Sequence, residues 1–524
     1  MATAPVPKSI RMEGYKMRAE KGGLRCFVFG VLFFTCMAWA LVNCSVSQAG
    51  LYTLYSFEGV AGNGAYPYGS ITLFGSTFYG MTERGGDYGN GAIFRINTDG
   101  SGYRLLHSFA GPPTDGANPY GPLTLSGSTL YGMSAGGGLH GDGAIFRINT
   151  DGSGYQVLHS FAGAPTDGAN PYGALVRSGS TLYGMTEQGG STVLWGGGYA
   201  DFGTIFRINT DGSGYEVLHH FGINEDDGAN PYGSLALAGS TLYGMTSRGG
   251  NFSRGTIFRI NKDGSGYEPL YSFSNVGNDG AHPYGSLTLA GSALYGMTHG
   301  GGVDGLGAIF KINPDGSGYR VLHSFGSVAN DGANPLGPLT IYGSTLYGMT
   351  PNGGGNQFGT IFQIKTDGSG YQVLYSFISF TDLNVLYPLG PLTISNAVLY
   401  GTTVVGGEND AGAVFVLDTS ATGSLWQNAV DLGKGWKWFD WFGYFNINSS
   451  PWIYHSTLGW LYAYGTSTDS IWFWDAQMNA FWWTSRTTYP YLYRASDGSW
   501  LYYQEGSSNP CWFYNFNTGR WESD

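Results

Sequence analysis

The stretch GSTLYGMSAGGGLHGDGAIFRINTDGSGYQVLHSF, residues 127–161, recurs in close copy along the chain and decides the fold. The glycine that closes its LYG core falls at Gly80, Gly132, Gly184, Gly244, Gly296, Gly348 and Gly401, at steps of 52, 52, 60, 52, 52 and 53 residues. A fixed period of this size means one supersecondary unit repeated, each burying its apolar face against its neighbours.

Each unit divides into four short β segments. In the second unit they are PLTLSG (122–127), STLYGMS (128–134), GAIFRINTDG (143–152) and GYQVLHSF (154–161), here called strands A to D. All are rich in Leu, Ile, Val, Tyr, Phe and Thr and bounded by Gly, Asp and Ser, the punctuation of strands and turns. A Gly-Ser corner joins A to B and Asp-Gly-Ser-Gly joins C to D; Gly and Asp tolerate positive φ, so both suit hairpins. Seven antiparallel four-stranded units predict an all-β fold, a seven-bladed β-propeller over residues 50–422. An open β-solenoid is the alternative, with shorter coils. A lone D-type segment, LYTLYSF at 51–57, precedes the first unit, while the seventh ends with strand C at Asp418. The strand count completes seven blades when that first segment becomes the outer strand of the last blade, which removes exposed sheet edges. Residues 423–427 could offer a competing outer strand.

Residues 1–49 carry six basic residues, then an apolar run over 26–42, then Ser47-Gln48-Ala49, the layout of an export signal cut after Ala49. Two rivals stand beside it: a lipoprotein processed at Cys44, and an uncleaved N-terminal membrane anchor. Past the signal, Cys511 is the one cysteine, so no internal disulfide is possible, and 18 basic residues face 34 acidic ones, a formal charge of −16. That balance disfavours nucleic acid and anionic membranes as partners. After Val42 no stretch is apolar and long enough to span a bilayer. The mature chain reads as a secreted or cell-surface monomer.

Strand alternation sends the D-to-A and B-to-C loops to one end of each unit, and these loops are long: AGPPTDGANPYG (110–121) and AGGGLHGDG (135–143) in the second unit. Binding groups belong on such elaborated loops over a rigid scaffold. The repeated DGANPYG motif places Asp115, Asp167, Asp227, Asp279 and Asp331 together with Tyr120, Tyr172, Tyr232 and Tyr284 around a mouth, where they could hold cations or sugar hydroxyls. Equally, the Asp-Gly and Asn-Pro pairs set turns whose side chains satisfy their own backbone. His107, His159, His219 and His323 share one strand-D position with Tyr55, Tyr271 and Tyr375, the mark of a half-buried amphipathic site, not of a metal ligand. The methionines of YGMT read as packing between sheets. Eight extra residues in the third B-to-C loop bring Trp195, Tyr199, Asp201 and Phe202, an aromatic loop suited to a sugar ring or a protein partner.

The region 423–524 differs in composition. Thirteen of the fifteen tryptophans lie between Trp426 and Trp521, in hairpins that repeat weakly at about 40 residues: Trp472, Phe473 and Trp474 match Trp512, Phe513 and Tyr514. Trp472, Trp474, Trp512 and Tyr514 are the candidate stacking residues of a small aromatic-rich β module.

The units GSTLYGMTxxGG, GTIFRINxDGSGY and LHSF resemble the GloVer tandem repeat, the choice-of-anchor repeat of exported bacterial proteins, over about residues 51–418. The resemblance implies an extracellular or surface location and no established activity; the Trp-rich module stands where members often carry a sorting signal. No GxSxG, HExxH, Walker loop or dinucleotide motif is present, and no cofactor or metal site is expected. The expectation is a binding or structural protein, with the propeller as interaction scaffold and the tail as attachment module for a glycan or surface protein. The alternative is a carbohydrate-active propeller enzyme, a glycosidase or polysaccharide lyase, which would need an asymmetric cluster of acids, His or Arg at the funnel.

Overall fold

The computed structural model describes residues 50–524, apart from 191, 194–198, 378–384, 396–397, 419–429, 524 and short stretches between strands after 433. For some strands it describes the backbone alone. Residues 1–49, with the expected export signal, and Trp195, Cys511 and residues 423–427 lie outside the described residues.

The described residues are all β, with no helix. Strands A to D of the second unit are Thr124–Ser126, Thr129–Ser134, Ala144–Asn149 and Gln156–Ser160, paired in that order as an antiparallel sheet. Strand A is half the length its sequence suggests, and it is three residues long whether its unit has Pro122 or Ser70 at the equivalent position. Six sheets of this kind follow one another among the described residues. A seventh is assembled from both ends of the repeat region: Gly50–Ser56 runs antiparallel to Ala413–Asp418, with Leu51 opposite Leu417 and Tyr52 opposite Val416. The lone D-type segment does supply the missing outer strand.

Within each sheet the central glycine of LYG faces the phenylalanine of strand C, as Gly132 does Phe146. A Cβ at Gly80 would lie 2.5 Å from the Phe94 ring, so only glycine lets that ring lie flat across its partner strand. The cores sit between sheets, not within them. One cluster joins Tyr79, Met81 and Ile93 of the first unit to Leu123, Leu130 and Phe146 of the second, and equivalent clusters occupy each later junction. Another joins Phe57, Ala411 and Val414 to Ile71, Phe78 and Phe94, residues from the two ends of the repeat region. The YGMT methionines are buried in these junctions, with Met133 and Met185 2% exposed.

Threonine hydroxyls on strand A tie neighbouring units: Thr72 donates to the Leu123 carbonyl and Thr340 to that of Leu392, each at 2.7 Å. Thr393 of the last unit donates to the Ile71 carbonyl of the first. Glycines three residues before strand A do the same by contact. A Cβ at Gly69 would lie 2.7 Å from the Gly121 carbonyl oxygen, and one at Gly390 would lie 2.9 Å from that of Tyr68.

At the long-loop end the two loops of each unit pair with each other in a two-residue ladder, such as Gly116–Ala117 with Gly136–Gly137. The sequence did not suggest these ladders, which fix the loops as rigid shelves. Residues Val430–Gly433 through Arg520–Ser523 form a separate sheet, an antiparallel meander of eleven strands in chain order.

Candidate functional site

The repeated aspartates are saturated. Asp115 is 6% exposed and accepts the amides of Ala110 (2.8 Å) and Gly116 (2.7 Å), the His107 Nε2 (2.8 Å) and the Tyr155 hydroxyl. Burial alone would raise its carboxyl; the bonds from His107, Tyr155 and the Ala110 amide outweigh that and hold it below the usual carboxylate range. Tyr155 belongs to the next unit, and its ring stacks on His107 with centroids 3.6 Å apart. The same staple recurs as His159–Asp167–Tyr215, His219–Asp227–Tyr267 and His323–Asp331–Tyr371. Where strand D carries Tyr271, it stacks on Tyr319 and bonds Asp279 in the same way, and Tyr55 does so with Asn63 and Tyr103. This explains the free exchange of His with Tyr. The position needs a flat ring with a polar tip. The mouth carboxylates of DGANPYG are therefore structural parts of the junction between units, in agreement with the turn reading.

The asparagines of the same motif hold the left-handed region, φ 52° at Asn118 and 54° at Asn230, where Asn is tolerated best after Gly. Their side chains reach the preceding unit: Asn118 Nδ2 donates to the Glu83 carbonyl and Asn170 Nδ2 to that of Ala135.

The tyrosines come together. Tyr68, Tyr120, Tyr172, Tyr232 and Tyr284 form an unbroken arc of half-buried rings, with successive centroids 4.9, 5.0, 5.1 and 5.0 Å apart. His299 extends the arc edge-on to Tyr284 at 5.4 Å. Leu336 and Leu389 occupy the equivalent positions of the last two units.

Sequence reasoning missed the residues that face this arc. The position just after strand B is Glu83, Ala135, Glu187, Ser247, His299, Pro351 and Val404 in the seven units. It thus reads as a variable loop start. In the fold Glu83, 7% exposed, accepts the Tyr120 hydroxyl at 3.2 Å and pairs with Arg84. Glu187, 8% exposed, accepts the Tyr232 hydroxyl and, at 3.2 Å, Asn230 Nδ2. Burial pushes the Glu187 carboxyl up, and burial lowers the His299 imidazole. The Tyr120 and Tyr232 hydroxyls are both raised, first by burial and then by the glutamate beside each.

Of the inserted loop, Thr192–Val193 pairs with Tyr199–Ala200, which places Tyr199 by its backbone only. Asp201 is exposed, and its carbonyl accepts Asn230 Nδ2 at 3.3 Å. Phe202 is not displayed as a stacking ring; it packs half-buried beside Tyr183, Phe221 and Leu235.

In the C-terminal sheet the faces differ. Trp482, Leu492, Leu501, Tyr503 and Phe513 are buried on one. The other carries Tyr491, Trp500, Trp512 and Trp521 at 44%, 39%, 41% and 48% exposure, with half-buried Tyr493 and Tyr514 between them. Register sets Tyr493 opposite Trp500 and Tyr514 opposite Trp521, a run of cross-strand aromatic pairs. Trp472 lies opposite Trp483 in the same sheet, with Trp474 two residues on. Among the described residues no group of three or more His, Cys, Asp or Glu is placed to hold a metal ion, and no helix is long and apolar enough to cross a membrane.

Repeated four-stranded sheets with their cores between them, shelved by paired loops, define a β-propeller-like repeat protein. The chain belongs to the Gloeobacter/Verrucomicrobia repeat family, which it matches over residues 40–194, 192–340 and 277–429. No curated protein matches its sequence. Similar solved structures include an oligogalacturonate lyase from Vibrio parahaemolyticus, with 13% identity over 71% of this chain and 94% of that one at a TM-score of 0.43. TolB from Acinetobacter baumannii is 15% identical over 53% of this chain and 58% of that one, TM-score 0.30. At such values neither lends the chain an activity.

Proposed function

We propose that the chain is an exported binding protein whose repeat region forms a closed seven-bladed propeller and whose aromatic C-terminal sheet attaches it to a glycan. The exposed aromatic face from Tyr491 to Trp521 carries the attachment reading. Rings held by cross-strand partners present flat apolar area at low entropic cost, which suits stacking on sugar rings. The closing strand Gly50–Ser56, the shared core of Phe57 and Val414 with Phe78, and the contact of Gly390 with Tyr68 support the closed ring. The basic and apolar leader supports export, and the family membership accords with it.

A carbohydrate-active enzyme is the second reading, drawn from the asymmetry of Glu83, Glu187 and His299. A glycosidase sets two carboxylates across one bond. Here Glu83 and Glu187 bond different tyrosines in alternate units, so binding stands first.

Retention of the full chain on insoluble polysaccharides tests the attachment reading. Trp500→Ala, Trp512→Ala and Trp521→Ala together are expected to abolish retention while leaving the melting curve of the repeat region in place. Equal retention of the triple variant would sink the reading.

A further inference from the structure

We infer that Glu187, Asp201 and the Tyr172–Tyr232 pair form a binding site for a primary ammonium group, of the kind carried by amino sugars and polyamines. The inference deepens the reading of the repeat region as a binding scaffold and rests on it; it is independent of the tail. Three observations converge at this point.

The first is charge. Glu187 is nearly buried, and its bonding partners, Tyr232 and Asn230, are neutral. Among the described residues no Lys, Arg or His forms an ion pair with it, in contrast to Glu83, which holds Arg84 at 3.3 Å. Burial raises the Glu187 carboxyl; the exposed Arg248, which makes no ion pair with it, pulls it down by more than the nearby Asp201 charge pushes it up. A nearly buried carboxylate with no cation in direct contact is costly, and a bound ammonium ion recovers part of that cost.

The second is ring geometry. Tyr172 and Tyr232 are stacked, with an interplanar angle of 27°, whereas the other tyrosine pairs of the arc meet at 60° to 68°. The one departure falls where Glu187 meets the arc. Tyrosine faces beside carboxylates attract cations through the ring quadrupole as well as through charge.

The third is position. The eight-residue insertion that makes the third unit longer than its neighbours carries Asp201 to this junction, where Asn230 Nδ2 joins the Asp201 carbonyl to the Glu187 carboxylate. An ammonium group has three donors. Glu187, Asp201 and the Tyr232 hydroxyl oxygen offer acceptors in kind.

The test is calorimetric titration of the full chain at pH 7 with glucosamine, N-acetylglucosamine, spermidine and calcium. Binding of glucosamine or spermidine, with N-acetylglucosamine silent, is expected; which amine binds tells an amino sugar from a polyamine. Glu187→Gln should weaken amine binding about tenfold or more, since it removes one member of a buried charge pair. Asp201→Asn, at an exposed position that the fold does not need, should weaken it to a smaller degree. Equal binding of glucosamine and its N-acetyl form, calcium binding that displaces the amine, amine affinity unchanged in both variants, or no binding by the folded chain would each overturn the site. Polysaccharide retention scored on the same preparations separates failure of this site from failure of the tail, and any other small ligand bound at the arc would preserve the scaffold reading without the ammonium site.

Discussion

At the scale of single residues the repeat is held by the junction aspartates, and their chemistry makes firm expectations. Asp167 accepts two backbone amides, the His159 ring and the Tyr215 hydroxyl. Asp167→Ala leaves those donors buried without acceptors, so a loss of about 2–4 kcal/mol is expected in chemical denaturation. His159→Tyr should cost less than about 1 kcal/mol, because Tyr271 already fills the equivalent place against Asp279 and Tyr319. His159→Leu, which cannot bond Asp167, should cost about 1–3 kcal/mol. A histidine that tolerates Leu but not Tyr would refute the staple. The pH dependence follows from the same groups. The carboxyls of Asp115, Asp167 and Asp227 are held below their unfolded value: burial opposes this, and the histidine and tyrosine bonds outweigh it. Groups of lowered pKa contribute stability that is present above the unfolded value, about 3.9, and lost as pH falls through the folded one. Thermal melts should therefore fall off steeply below about pH 4, and Asp115→Asn should flatten that decline.

At the scale of elements the tight points are glycines, and they are of two kinds. Gly69 has no room for a Cβ, which would lie 2.7 Å from the Gly121 carbonyl, an atom of backbone that cannot swing away. Gly127 has open space but sits at φ 58° in the A-to-B turn. Gly69→Ala should thus cost more than about 2 kcal/mol by forcing neighbouring sheets apart, and Gly127→Ala only about 1 kcal/mol of backbone strain. Equal effects on the melting temperature would contradict this picture of close approach between units. The strands themselves were legible from alternation and turn residues. The ladder of Gly116–Ala117 with Gly136–Gly137 was not, because two-residue pairings of Gly and Ala leave no periodic signal.

At the scale of the molecule, the seventh sheet is made from chain segments more than 350 residues apart, Gly50–Ser56 and Ala413–Asp418. Deleting residues 50–56 should expose the edge of Ala413–Asp418, lower the melting temperature of the whole repeat region and promote association, measured by light scattering. A deletion that melts like the parent would show the repeat region to be held without this outer strand. The sequence by itself determined the repeat, its four strands, the N-terminal outer strand of the last sheet and the aromatic character of the tail, because period, alternation and turn chemistry are local properties of the chain. It also placed Tyr120, Tyr172, Tyr232 and Tyr284 at one end of the units. Only the tertiary structure decided what those tyrosines meet. Glu83, Glu187 and His299 share their position with Ala135, Ser247, Pro351 and Val404, so nothing in the pattern marks them. Their environment arises when adjacent units bring Tyr120 to Glu83 and Tyr232 to Glu187. The burial that shifts Glu187, and the absence of an ion-paired cation beside it among the described residues, exist only in three dimensions. The same holds for the tail: composition announced its rings, while strand register decided that Trp482 and Phe513 are buried and Trp500, Trp512 and Trp521 face outward.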